Sequence, residues 1–127
     1  MKLKTPYADL LPPLATEEFE ALKADLKANG QIHAVLVDDE GNILDGHHRA
    51  RILGKNVKTE TIRGLSEGEK RAFVFRANFM RRNLSPSQKT DARELMLAVA
   101  EQLREEDPKK WTQDRVAATL GVDRTTV

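Results

Sequence analysis

The sequence predicts an α+β fold in which a small mixed sheet with helices is followed by an all-helical segment that carries a partial helix-turn-helix. Three observations predict it. β-type runs are confined to residues 34–62. Two capping-box signatures, at 66–69 and 85–88, open helical patterns in the second half. The charge pattern changes near residue 63: residues 1–62 carry 8 basic and 10 acidic groups, 63–93 carry 8 and 3, and 94–127 carry 5 and 7. The expected organisation is an α/β unit over 1–64 and a helical unit over 65–127, with the helix-turn-helix from 112.

Each element has a local cause. Pro6, Pro12 and Pro13 suggest an extended arm over residues 1–15. Thr16 is placed to cap a helix whose first turn holds Glu17 and Glu18, at the favourable end of the helix dipole. Phe19, Leu22 and Leu26 share one face, and Gly30 is placed to end the helix. Ala34 to Asp38 is a strand pattern, Asp39-Glu40-Gly41-Asn42 a turn, and Ile43-Leu44 the returning strand of a hairpin. Asp45-Gly46 breaks that strand, His47 to Leu53 reads as a short helix closed by Gly54, and Val57 to Ile62 as another strand.

Ser66-Glu67-Gly68-Glu69 opens a helix expected to reach about Arg81, with Phe73, Ala77 and Met80 on one core face and Phe75 and Phe79 also in the core. Ser85-Pro86-Ser87-Gln88 opens a second, with proline at its first position and Ala92, Leu95, Met96, Val99 and Leu103 on one face. Asp107-Pro108 stops it. Thr112 caps a helix from Gln113 to Leu120, Gly121 ends that, and Asp123 caps one more from Arg124.

Composition excludes several functions. The chain has 127 residues and no cysteine, so it holds no disulfide, thiolate metal site or cysteine nucleophile. No apolar run is long enough for a membrane span, and the first residues lack the apolar stretch of a secretory signal. A cytoplasmic protein without membrane contact is expected.

The stretch Asp45-Gly46-His47-His48-Arg49 carries the most chemistry. A helix start presents free N–H groups and a partial positive charge, which suits an anion. Gly46 permits close backbone approach, and the Arg49 guanidinium matches phosphate oxygens. His47 and His48 are the candidate catalytic acid or base. The paired histidines, even with His33 as a third, lack the spacing and acidic partners of a metal site, so no resident metal is expected.

This stretch resembles the nucleotide-binding box of the ParB N-terminal domain family, which commonly reads Gly-Glu-Arg-Arg where this chain reads Gly46-His47-His48-Arg49. Residues 27–37, with Gly30 and Gln31 before the strand, resemble the family's first box. Asn78-Phe79-Met80-Arg81-Arg82-Asn83-Leu84-Ser85-Pro86 resembles its third, Glu-Asn-x-x-Arg, with Ala77 at the glutamate position. The resemblance covers residues 14–90. It implies a ParB/sulfiredoxin-like fold and a nucleotide site formed by Gln31, Gly46, His47, His48, Arg49, Asn78 and Arg81. The implied ligand is CTP or ATP with Mg²⁺. Related sulfiredoxins use a cysteine where this chain has His47, so their activity is excluded.

A helix-turn-helix follows the third box in ParB-like proteins. Here Ala117 stands at the helix crossing, Gly121 in the turn and Val127 on the packing face, with Val116, Leu120 and Val122 as further packing residues. Gln113, Arg124, Thr125 and Thr126 are the candidate DNA contacts. The chain stops in the first turn of that second helix, so a longer protein with stronger DNA affinity is expected. The function these readings imply is a nucleotide-responsive DNA-binding protein in partition or transcription regulation, working on double-stranded DNA as a homodimer on the nucleoid or a plasmid. The rivals are an ATP- or CTP-hydrolysing enzyme or small-molecule kinase on the same fold, and a DNA-binding adaptor with a decayed pocket. A nuclease would need a carboxylate cluster on metal, and only Asp45 lies at the box.

Overall fold

The computed structural model describes residues 3–10, 15–79, 85–123 and 125. They fall into two compact units, Met1–Asp9 with Pro13–Gly64 and Leu10–Pro12 with Leu65–Val127.

The first unit contains α1 (Thr16–Asn29), β1 (Val35–Val37), β2 (Ile43–Asp45), α2 (His47–Leu53) and β3 (Thr59–Thr61). Thr16 is the first helical residue of α1. Ala15 holds the cap position without a side-chain hydrogen bond, which corrects the expected Thr16 cap. Leu26 is buried and Phe19 and Leu22 are half-buried, as their shared face requires. The sheet is mixed, in the order β2-β1-β3, with β1 antiparallel to β2 and parallel to β3.

The β1–β2 hairpin is closed by a buried carboxylate. Asp38 accepts hydrogen bonds from the backbone N–H groups of Glu40 and Asn42, at 2.9 and 2.8 Å, and from the Asn42 side chain at 2.8 Å. Gly41, at φ 84°, turns the chain back. The register then slips: Val37 pairs with Ile43 but Leu36 with Asp45, so Leu44 is the extra residue of a bulge. The bulge explains why Ile43 and Leu44 are both buried despite their adjacency.

The N-terminal residues are not a free arm. Lys4 donates to the Gly41 carbonyl at 3.0 Å and accepts from Ile43 N at 2.9 Å, which covers the open edge of the hairpin. Leu3 packs on the small core of Val35, Val37 and Ile43, and Tyr7 is buried. Unpaired edge groups, which a proline count does not register, explain the difference from the extended-arm expectation.

The second unit contains α3 (Glu67–Phe79), α4 (Pro86–Glu106) and α5 (Gln113–Leu120). Both capping boxes form. Ser66 Oγ accepts from Glu69 N while Glu69 accepts from Ser66 N, each at 3.2 Å, and Ser85 and Gln88 reciprocate in the same way. The start of α3 is also held by the end of α4: the Glu106 carboxylate accepts from Ser66 Oγ at 2.6 Å and from Gly68 N at 2.7 Å. That places a negative charge where the first N–H groups of α3 need acceptors.

The core of this unit joins Ala72, Phe75 and Phe79 of α3 to Ala92, Met96, Val99, Ala100 and Leu103 of α4 and to Trp111, Val116 and Leu120. Phe75 and Phe79 stack with ring centres 5.3 Å apart. Phe73 and Ala77, expected in the core, are only half-buried. The apolar residues of α3 surround most of the helix, so packing against α4 and α5 selects the buried face. Met80 and the expected end of α3 near Arg81 lie outside the described residues. Gly121 closes α5 in the left-handed region, with Gly121 N on Ala118 O at 3.3 Å and Val122 N on Ala117 O at 3.0 Å, a Schellman motif.

Candidate functional site

The centre of the candidate site is the turn from β2 into α2. Gly46 sits at φ 96° and ψ 27°, a left-handed conformation that a side chain resists. A Cβ there would lie 3.1 Å from Val35 Cγ2 and 3.4 Å from Val35 Cα. Close packing on the central strand is therefore one reason for glycine at this position, independent of any ligand.

α2 begins at His47, and the first helical hydrogen bond runs from Ala50 N to Gly46 O at 3.0 Å. The preceding N–H groups have no acceptor within the helix. His47 is 9% exposed, and neither of its ring nitrogens has a hydrogen-bond partner. Burial of such a group without compensation is unfavourable and unusual in native proteins. His48 and Arg49 are half-buried beside it. Among the described residues Arg49 has neither an ion pair nor a hydrogen bond. Among the described residues the turn thus combines a guanidinium without a counter-charge and an imidazole without a hydrogen-bond partner.

Burial, with a smaller contribution from the charge of His48, lowers the His47 imidazole from its ordinary 6.5 to about 4. The ring is neutral at physiological pH: one nitrogen donates and the other accepts. It cannot serve there as an imidazolium acid, which leaves His48 as the candidate for that role. The same shift makes stability pH-dependent. The unfolded chain protonates His47 below about pH 6.5 and the folded chain only below about 4, so this group destabilises the fold as pH falls through that window and has no effect above it. After allowance for solvent screening the loss is on the order of 2 kcal/mol. Urea unfolding of His47→Leu is expected to show a smaller drop in stability than the parent between about pH 7 and pH 5. An identical drop in both proteins would contradict the assignment.

The other expected site residues are placed differently. Gln31 is half-buried and its amide is engaged with backbone: Nε2 donates to the carbonyls of His33 and Lys58 at 3.0 and 2.8 Å, and Oε1 accepts from Lys58 N at 2.7 Å. It fastens the approach to β1 onto the approach to β3. Asn78 is buried in the second unit, and its side chain donates to the Val74 carbonyl at 2.8 Å. Arg81 lies outside the described residues. Gly46, His47, His48 and Arg49 are contiguous in the first unit, whereas Asn78 belongs to the second.

Of the candidate DNA contacts, Gln113 is exposed in the first turn of α5 and Thr125 is exposed. Arg124 and Thr126, with the helix expected from Arg124 and its Val127 packing residue, lie outside the described residues. Among the described residues no group of three or more histidines or carboxylates is placed to hold a metal ion. No described helix is long and apolar enough to cross a membrane. Asp38 and Glu106 were not singled out in sequence. An acidic residue two and four positions before the turn amides was the available signal for Asp38, whereas Glu106 acts 38 to 40 residues away and left none.

Comparison with known proteins adds the fold relationship. No family model matches the sequence, and no curated protein matches it. Among solved structures the chain is similar to a Pnob8-like ParB-N domain, with a TM-score of 0.64 and 21% identity, over 86% of this chain and 45% of that one. The chain thus spans less than half the length of that structure. With its mixed three-stranded sheet and following helices, the chain has a ParB-N-like fold.

Proposed function

We propose that the protein is a nucleotide-responsive DNA-binding protein of the ParB-like type, acting in partition or transcription regulation. The observation that carries the reading is that the first turn of α2 holds two groups without partners among the described residues, the buried His47 ring and the Arg49 guanidinium, in a ParB-N-like fold. A phosphate-bearing ligand at the start of α2 would supply an acceptor for either group.

In this account the neutral His47 ring donates one N–H to a phosphate oxygen. The Arg49 fork neutralises the charge, and the positive end of the α2 dipole adds to it. Asn78 and Arg81 are the further residues proposed for the nucleotide and its Mg²⁺. α5 and the residues after Gly121, including Arg124, Thr125 and Thr126, are the proposed DNA-reading part, in a homodimer.

Calorimetric titration with CTP, ATP, GTP and UTP, each with Mg²⁺, tests the reading. One nucleotide is expected to bind, and Arg49→Ala to weaken it by about tenfold to a hundredfold. Absence of binding by all four, or binding unchanged in Arg49→Ala, would count against the phosphate cradle.

A further inference from the structure

We infer that the α3–α4 face of the second unit is a docking groove for an acidic amphipathic helix of a partner protein. The inference does not rest on the nucleotide reading. The groove is a shallow, open depression of about 410 Å³ lined by Phe75, Lys89, Thr90, Ala92, Arg93 and Met96. Its apolar lining comes from Phe75, Ala92 and Met96, which are also members of the core. Its charged lining is entirely cationic.

Three features specify the occupant. Lys89 and Arg93 are four residues apart on α4, so their side chains stand on one face one helical turn from each other. Neither has an acidic partner among the described residues. Both belong to the central basic block of the sequence, and neither is among the residues proposed for the nucleotide. Carboxylates spaced by one turn on a facing helix match that spacing. Leu97, one turn beyond Arg93, is 42% exposed and extends the apolar surface along the same face. Thr90 spends its hydroxyl proton on the Pro86 carbonyl at 3.2 Å, which leaves its oxygen as an acceptor at the rim.

An apolar floor with a charged border fits a helix that inserts one or two bulky side chains and sets its acidic residues against the cations. Met96 in the floor can adapt to the inserted group. A phosphate backbone would use the cations and leave the floor unused, so duplex DNA is the weaker match and is tested as the competing occupant.

Fluorescence anisotropy with three labelled probes decides the matter on the full chain. The first is a helical peptide of about 16 residues with Leu and Phe at i, i+3 and i+7 and Glu on the flanks. The second has Lys in place of each Glu. The third is a duplex DNA of similar length. The acidic peptide is expected to bind at least about tenfold more tightly than the basic one, with a preference that shrinks at high salt. The double substitution Lys89→Glu and Arg93→Glu is expected to reverse the order of the two peptides. Both positions are solvent-exposed on α4 and the urea midpoint is expected to hold, so reversal reports the surface rather than unfolding. Equal affinity for both peptides, no binding of the acidic peptide at millimolar concentration, or loss of DNA binding alone in the double variant would each overturn the assignment.

Discussion

Asp38→Ala is expected to lower the stability of the α/β unit by about 3 kcal/mol and to remove hydrogen-exchange protection from the Glu40 and Asn42 amides. The carboxylate is fully buried and accepts three hydrogen bonds that close the β1–β2 turn. Alanine leaves two backbone donors and the Asn42 side chain without their acceptor in a loop whose ends must meet for Ile43 to reach Val37. Bonds to an ionised acceptor are the stronger kind, and the orphaned donors add their own cost. Asp38→Asn keeps one acceptor oxygen but turns an N–H₂ toward the Asn42 side-chain donor, so about half the loss is expected. Unchanged urea stability in Asp38→Ala would show that the turn is held by its backbone bonds alone.

Gly46→Ala is expected to cost about 2 to 3 kcal/mol, because two penalties coincide. The residue lies at φ 96°, and the added carbon meets the fully buried Val35 on the central strand. Gly30 and Gly54, at φ 72° and 58°, have open space around the same atom, so alanine there carries only the conformational penalty. Urea midpoints of the three variants separate the contributions. Equal losses at all three positions would mean that contact with Val35 adds nothing. The comparison also shows why Arg49, rather than Gly46, is the informative position for ligand binding: a loss of affinity in Gly46→Ala would follow from damage to the sheet.

Much of this architecture was legible because local rules and tertiary structure agree. Both capping boxes, the hairpin turn, the Gly54 end of α2 and the Gly121 end of α5 are short-range patterns, and the chain adopts each of them. Features that depend on distant partners were not legible. The Leu44 bulge is a property of strand pairing. The Lys4 bridge answers an edge that exists only once the hairpin forms. Glu106 looks misplaced at the negative end of its own helix until the start of α3 supplies its partners. On α3, Phe75 and Phe79 rather than Phe73 and Ala77 face the core because α4 and α5 decide which stripe is covered.

The candidate site divides in the same way. The turn at 46–49 and the helix that follows it were readable in sequence, but the burial of His47 and its lack of hydrogen bonds were not, since adjacent histidines at a helix start look exposed in sequence. Conversely, Gln31 reads as a site residue by position, yet its amide is engaged with backbone groups on the approaches to β1 and β3.

If His47 and Arg49 receive a phosphate group, as proposed, the imidazole of His47 reports it most directly. Nitrogen-15 spectra of the ring, recorded across pH with and without the best-bound nucleotide and Mg²⁺, follow its protonation and hydrogen bonding. In the free protein the ring is expected to titrate near 4. With nucleotide bound, a nearby phosphate favours the charged form, so the midpoint is expected to rise by about one unit or more and the donating nitrogen to shift. A titration curve and nitrogen shifts identical in both samples would contradict the account.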